Sequence, residues 1–488
     1  MGSVIHVEFK SKDNEYESAM SELVQALRKV IDLSVGTEAS FSEKEVATLA
    51  ASNQASRQFF EQTLQEMADG YDDELLIDGV RYKRCHDPGQ GHYHSLCGPL
   101  NVRRATYRRV GERNGPTVVP LELEAGLVEH ATPALGYSII LDYANGTSRE
   151  YIESMSAAHR QVPSRSTVER IGIAVGAKAN DAAPSIERYL RLGERVPDEA
   201  CAISLGLDRT SVPYEEKREE GQPPKTRRKK RTRPYVRKQP EPVDVNYHMD
   251  YVATFCLVDS SGENLVTRKY AATHQEGPDG IVKQLMADVR AAIRLRPALA
   301  VGVVQDGAAE LWKLLRDALD AEPNIEGYEE AIDRFHLSER LGEVLAVLEP
   351  DDDERALLLE QWECELDTDD SAIDRIFDVI YRRLSHFSGS KYEILDKTLT
   401  YMENNGDRMR YASMIKKGLP IGSGVTEGSC KSLAGARVKR SGQRWHNSGV
   451  SAVLTLRSIH QSDRLPRFWN HLHRRYTAKV IPVEELAA

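Results

Sequence analysis

Between Cys201 and Leu348 the chain runs through three consecutive strand-like segments and then alternates strand with helix. No other feature constrains its fold as strongly. Residues 202–207 form the first apolar run. Residues 252–258 and 265–270 are the next two, separated by Asp259-Ser260-Ser261-Gly262-Glu263-Asn264, which reads as a hairpin loop. A helix over 279–295 leads to a strand ending at Asp306, and a helix through Trp312 follows. Residues 330–335 read as a last strand before another helix. This order predicts an α/β core built on a mixed sheet.

The alternation within that core places particular side chains. Period two puts Ile203, Leu205 and Leu207 on one face of the first strand, and Ser204, Gly206 and Asp208 on the other. Asp208 is therefore expected to project from a small-residue face at the strand end, leaving room for an ion and a phosphate. Asp306 ends its own strand, and Gly307 permits the turn after it. Both positions accord with the rule that α/β sheets hold ligands beyond the carboxyl ends of their strands. Glu427 falls in the first turn of a helix whose Gly428, Ser429, Ser432, Ala434 and Ala436 are small, so the helix can lie close to a sheet. Singly, each acid has an ordinary explanation: strand-end aspartates cap turns, and the helix macrodipole alone favours a glutamate in a first turn. As an ordered set they match the hard oxygen donors that Mg²⁺ or Mn²⁺ prefers. Two such ions roughly 3.5–4 Å apart can activate an attacking hydroxyl and stabilise a leaving oxygen in phosphoryl transfer.

Length and charge bound the rest. A chain of 488 residues exceeds one ordinary core, so several domains are expected. The formal net charge of −10 argues mildly against nucleic acid as a partner, but the charge is segregated. Between Lys225 and Lys238 lie Arg227, Arg228, Lys229, Lys230 and Arg231 with no acid among them, and basic residues dominate again from Arg437 to Arg475. Such stripes suit a protein that meets DNA along particular faces. No apolar run approaches a membrane span and no signal pattern opens the chain, so a cytoplasmic or nucleoid-associated protein is expected. The six cysteines are scattered without a Cys-x-x-Cys pair and read mostly as buried thiols.

The pattern divides the chain into a helical N-terminal region (1–74), a small antiparallel β region (75–125), a helical module (126–197), a core with a basic insertion at 223–242 (198–350), an all-helical insertion (351–418), a second core segment carrying Glu427 (419–465) and a tail (466–488). In the first region Leu23, Leu27, Val30 and Ile31, then Phe59, Phe60, Leu64 and Met67, recur at helical spacing. Residues 77–82 and 100–107 alternate as half-buried strands do. The helical module contains helices over 135–143 and 148–157 and a third opened by a capping box at Ser166 and Glu169. It reads either as a helix-turn-helix, with Arg165 and Arg170 facing DNA, or as plain core helices. Cys85, His86, His92, His94 and Cys97 form an irregularly spaced candidate zinc set.

With these residues in view, the chain resembles a DDE-class insertion-sequence transposase over most of its length, from about Leu76 to Trp469. Asp306-Gly307-Ala308 with Trp312 resembles the second-aspartate motif of that family, and Asp333-Arg334-Phe335-His336 the Asp-x-x-His motif that follows it on the last strand. The segment from Leu419 to Glu427, continued by Arg437 to Trp445, resembles the glutamate motif. Asp208-Arg209-Thr210 departs from the family's usual Asp-Gly. The resemblance implies a ribonuclease-H-like core interrupted by the all-α insertion, with Mg²⁺ or Mn²⁺ held by Asp208, Asp306 and Glu427. It also implies His336 beside the scissile phosphate with Asp333 as its strand-end partner, and Arg437, Lys439, Arg440 and Arg444 on DNA phosphates. Trp445 either stacks on a base or packs. The implied activity is DNA cleavage and strand transfer on transposon terminal inverted repeats and target DNA, by a homodimer or larger homo-oligomer. A structure-specific ribonuclease-H-like nuclease and a catalytically inactive DNA-binding descendant of a transposase remain as alternatives.

Overall fold

A computed structural model describes residues 14–217, 243–306 and 308–483. The basic residues Arg227, Arg228, Lys229, Lys230 and Arg231, and Gly307, lie outside these described residues. The chain is a mixed α/β protein. Its contacts divide it into two compact units, one running to Gly172 and resumed from Leu472, the other spanning Ile173–His471. None of the described helices is long and apolar enough to cross a membrane.

The first unit opens with two helices packed on each other, α1 (Asn14–Val35) and α2 (Phe41–Asp69). Ser40 and Glu43 close a reciprocal capping box at the start of α2. Only part of the expected apolar stripe is covered: Ile31 and Leu64 are buried, whereas Leu23, Val30 and Phe59 are exposed. A helical hairpin offers one seam for burial and leaves the flanks of a wide stripe outside it. Strands β1 (Glu74–Ile77), β2 (Val80–Arg84), β3 (Gly89–Ser95), β4 (Gly98–Arg104), β5 (Tyr107–Arg109) and β6 (Thr117–Val118) follow.

Two sequence expectations change here. Residues 77–82 are not one strand but a hairpin, with Ile77 paired to Val80 and Asp78-Gly79 as its two-residue loop. Both loop residues have positive φ, 47° and 79°, as a type I′ turn requires. Residues 100–107 are likewise broken at Ala105-Thr106. The part before the break pairs with β3, and the part after it with β2 and β6. α2 covers the outer edge of β4, because Glu61 and Gln65 accept the Asn101 and Arg103 amides at 2.8 Å each. An open strand edge is thus masked by side chains.

The tail carries a strand that no sequence pattern announces. Its strand Val480–Pro482 adds to the free edge of β1, with Leu75 opposite Pro482 and Ile77 opposite Val480. Val480 packs on the buried cluster of Leu75, Ala105 and Tyr107. Deleting residues 479–488 is expected to cost this unit about 2 kcal/mol, the combined value of half-burying Val480 and Ile481. Protease cuts around residues 70–84 should accelerate in the truncated chain, and unchanged cutting would show the strand to be dispensable.

Short helices complete the first unit: α3 (Pro120–Glu124), α4 (Pro133–Asn145) and α5 (Ser148–Ala157), then α6 (Arg165–Asp181), which continues into the second unit. The capping box expected at Ser166 does not form. The residue before the helix, Ser164, takes the Thr167 amide at 3.4 Å, and Glu169 accepts the Ser148 hydroxyl at 2.5 Å.

In the second unit α7 (Ala183–Arg191) precedes a five-stranded sheet of β7 (Ala202–Lys217), β8 (Val243–Val258), β9 (Asn264–Ala272), β10 (Ala300–Gln305) and β11 (Glu329–Ile332). The strand order is β11-β10-β7-β8-β9. β7, β8 and β9 are antiparallel neighbours, while β10 runs parallel to β7 and β11 parallel to β10. Helices α8 (Asp279–Leu295), α9 (Ala309–Asp320) and α10 (Arg334–Leu348) alternate with the later strands. Leu205, Leu207, Phe255 and Leu257 are buried in one cluster with Leu285, Met286 and Val289 of α8. Residues 351–418 are helical as expected: α11 (Asp352–Thr368), α12 (Ala372–Leu384), α13 (Ser390–Asn405) and α14 (Tyr411–Lys416). The chain then returns to the sheet with α15 (Gly424–Cys430), a π-turn, α16 (Ala436–Val438), α17 (Asn447–Gln461) and α18 (Leu465–His473).

Candidate active site

The sheet brings the three candidate acids to one small pocket. Asp208, Asp306, Glu427 and His336 line it together with Leu207, Val304, Gln305, Ser423 and Thr426. They arrive from four separate segments, so the fold itself assembles the group.

Asp208 does not end its strand, as the sequence suggested. β7 continues for sixteen residues in all because β8 pairs with it along the whole length, out to Lys217 opposite Val243. What does end is the partner on the other side: β10 matches β7 only from Ala202 to Leu205. Asp208 therefore sits just past the last rung of the parallel pair, and Asp306 follows the end of β10 directly. The expectation of a carboxylate beyond a strand terminus holds for the neighbouring strand rather than for its own.

The face assignment holds. Gly206 and Thr254 sit opposite each other, and the Thr254 hydroxyl lies 2.6 Å from that of Thr426 in α15. A Cβ on Gly206 would overlap Thr426 Oγ1, so only glycine lets the helix approach this closely. That approach presents Glu427, one residue on, to the pocket.

Each side chain is held. Asp208 accepts the Arg209 amide at 2.7 Å and the Cys430 thiol at 3.3 Å. Asp306 accepts the Ala308 amide at 3.1 Å, and its carbonyl takes the Trp312 indole at 2.7 Å, which gives that tryptophan a positioning role. Glu427 accepts the Ser423 hydroxyl at 3.1 Å and lies 3.6 Å from His336 Nε2 and 3.8 Å from Lys431 Nζ. Burial pushes the Asp208 carboxyl above its ordinary range, and the facing charges of Asp306 and Glu427 add to the rise against the hydrogen bonds it accepts. The acids are thus close enough to repel.

His336 is not on the last strand. β11 ends at Ile332 and His336 occupies the first turn of α10, which Asp333 caps by accepting the Phe335 and His336 amides at 2.7 and 3.0 Å. The other Asp333 oxygen takes the Ser423 amide at 2.5 Å, tying this helix to the loop before α15. Burial alone would raise the Asp333 carboxyl, but the Ser423 and His336 hydrogen bonds outweigh it and hold it below its usual range. Asp333 is a cap joining two elements rather than a strand-end partner.

The candidate phosphate contacts separate into kinds. Arg437 is 2 % exposed and lies 4.9 Å from the Trp445 ring, so it is a packing residue and cannot reach a phosphate. Trp445 also packs, its indole donating to the Val438 carbonyl at 3.1 Å. Lys439 donates to Thr210 at 2.6 Å from an exposed position, Arg440 bonds the Ala436 carbonyl, and Arg444 is exposed. Arg165 pairs with Glu169 and Arg170 with Glu129, each about half exposed.

The candidate zinc set does not assemble. His92 and His94 lie on the opposite face of β3 from its buried residues, with His92 Nδ1 2.7 Å from Asn101, and the Cys85 thiol donates to Lys83. Among the described residues, only Glu216, His248 and His274 place ligand atoms all within 4.8 Å of one another. Sequence reading missed these, and it missed Ser423 and Lys431 as neighbours of Glu427. The Ser423–Glu427 and Glu427–Lys431 spacings of four residues are the signals that were available. No family model matches the chain, and no curated protein matches it.

Proposed function

We propose that this chain is a DDE-class transposase that cuts DNA at transposon ends and transfers the freed strand to a target. The observation that carries the reading is the convergence of Asp208, Asp306, Glu427 and His336 on one pocket. The sheet order, three antiparallel strands followed by two parallel to the first, supports a ribonuclease-H-like core. The helical residues 351–418, placed between Asp306 and Glu427, support the insertion expected in that family.

The donor chemistry of the pocket suits Mg²⁺ or Mn²⁺, and binding would draw Asp208, Asp306 and Glu427 closer, since their ligand oxygens do not all lie within 4.8 Å of one another. Its charged donors are hard carboxylate oxygens, and the Gln305 amide that lines it is buried with neither Oε1 nor Nε2 hydrogen-bonded. Asp208, Asp306 and Glu427 would hold the ions, which when bound supply activation of the attacking hydroxyl and charge stabilisation at the leaving oxygen. The chain's own residues do the positioning. Ser423 fixes Glu427, Asp333 fixes Ser423 together with the helix bearing His336, and His336 stands at the pocket rim as a donor to the scissile phosphate. Exposed Lys431, Lys439 and Arg444 attract the backbone on either side, a term that carries affinity rather than sequence.

The test begins with a search for inverted repeats flanking the gene, followed by incubation with Mg²⁺ and duplex DNA ending in such repeats. Strand cuts at the repeat ends and joining of those ends to a second duplex are expected. Cutting without joining would favour a structure-specific nuclease, and neither reaction in Mg²⁺ or Mn²⁺ would overturn the enzyme reading.

A further inference from the structure

A second cluster lies on the same face of the β7–β8 ribbon as Asp208, further along it. Residues directly opposite in an antiparallel pair share a face. The pairings Val212 with His248, Tyr214 with Asn246 and Glu216 with Asp244 therefore put Glu216, Tyr214, Asn246 and His248 together. β9 ends at Ala272 opposite Tyr251, and His274 follows two residues later, which brings it back to His248. Their imidazoles stack with centroids 4.1 Å apart and planes 11° from parallel. His248 Nε2 lies 2.8 Å from Glu216 Oε1, and one ligand atom from each of the three residues falls within 4.8 Å of the others.

The surroundings hold these groups in place. Asn246 donates to the second Glu216 oxygen at 2.5 Å and leaves the first directed at His248. Fully buried Asp250 accepts both the Tyr214 hydroxyl, at 2.6 and 2.8 Å, and the His274 amide at 2.9 Å. His274 Nδ1 lies 3.7 Å from Asp250 and is buried with no hydrogen-bond partner. Glu276 accepts the Thr273 amide at 2.8 Å, which fixes the turn carrying His274. A carboxylate steadied by an amide is an outer contact that orients a metal ligand, and Asp250 holds the His274 backbone in place beside it.

We infer that Glu216, His248 and His274 form a site for a borderline divalent cation of the zinc class, separate from the carboxylate pocket. Two imidazoles and one carboxylate match Zn²⁺ with one coordination position left open, whereas Mg²⁺ favours oxygen donors and disfavours imidazole. The ion would clamp β7, β8 and the segment after β9 to one another where the ribbon leaves the sheet. This inference does not depend on the proposed transposase activity.

Full-length protein stripped with a chelator should take up Zn²⁺ stoichiometrically in the presence of excess Mg²⁺. Co²⁺ in its place should give the visible bands of an imidazole-bound ion, and the melting temperature should rise on loading. Glu216→Gln and His248→Ala should each abolish tight uptake, and Asn246→Ala should weaken it roughly 10–100-fold. Asp208→Asn and Glu427→Gln should leave it unchanged. Failure of the stripped parent chain to bind Zn²⁺ overturns the site. Undiminished uptake by Glu216→Gln, which is isosteric and so tests the site even if His248→Ala misfolds, overturns it too. Loss of uptake in Asp208→Asn would move the ion to the carboxylate pocket and sink the inference.

Discussion

Asp208→Asn and Glu427→Gln should each lower strand cleavage about a thousandfold, while binding to transposon ends stays largely intact. Removing one hard anionic donor costs several kcal/mol of transition-state charge stabilisation, and each 1.36 kcal/mol is tenfold in rate. Neither substitution changes shape, so the side-chain amide introduced at either position still offers an oxygen to the donor that Asp208 or Glu427 accepts, the Arg209 amide in the first case and the Ser423 hydroxyl in the second. The stability readout separates this from misfolding. Because burial and like charges raise the folded Asp208 pKa, its contribution to stability is present below the unfolded carboxylate value and is lost as pH rises through the folded one. Above that range, in a chelator, Asp208→Asn should be at least as stable as the parent. Single-turnover cleavage with Mg²⁺, run beside an end-binding assay and a melt, checks all three. Cleavage within a few-fold of the parent in either variant would remove the basis of the enzymatic reading.

The largest expected loss of stability lies away from the pocket, at Arg464. Its guanidinium is 6 % exposed and reaches Glu187 at 3.1 Å, Glu194 at 2.5 Å and the Tyr270 hydroxyl at 2.9 Å. Asp288, fully buried, takes that same Tyr270 hydroxyl at 2.6 Å and Arg191 at 2.7 Å, while Arg268 pairs with Glu194 at 2.7 Å. Burial already pushes the Glu187 carboxyl up, with Arg464 the leading opposing influence. Arg464→Met leaves buried Glu187 and half-buried Glu194 short of a partner, and breaking a buried pair from one side costs about 3–5 kcal/mol. Urea denaturation should show the midpoint fall by that equivalent at unchanged slope. A loss below about 1 kcal/mol, the scale of an exposed pair, would mean that the remaining arginines cover the acids unaided.

How much of this was readable beforehand depends on the range of the interaction involved. Helices with local signals were: the span 279–295 fell where it was expected, and Glu427 lies in the first turn of a small-residue helix as read. The faces of 203–208 were readable because alternation is a property of the strand alone. The length of β7 was not, since its far half is held by β8, which begins beyond the basic insertion. Asp78-Gly79 carried a turn signal that alternation across 77–82 concealed. His336 was placed on a strand because the apolar run before it hid a local signal, the helix cap that Asp333 makes on the Phe335 and His336 amides. Arg437 looked like a phosphate ligand because a motif resemblance does not report burial. Glu216, His248 and His274 carry no spacing rule at all, since cross-strand register alone makes them neighbours.

The pairing of β1 with Val480–Pro482 orders events during synthesis. Leu75, Leu76 and Ile77 leave the ribosome about 400 residues ahead of the segment that shields their edge. At roughly 5–20 residues per second that is an interval of about 20–80 s, long enough for a bare strand to recruit another nascent chain. The edge of β1 is consequently covered only after the intervening residues have been made.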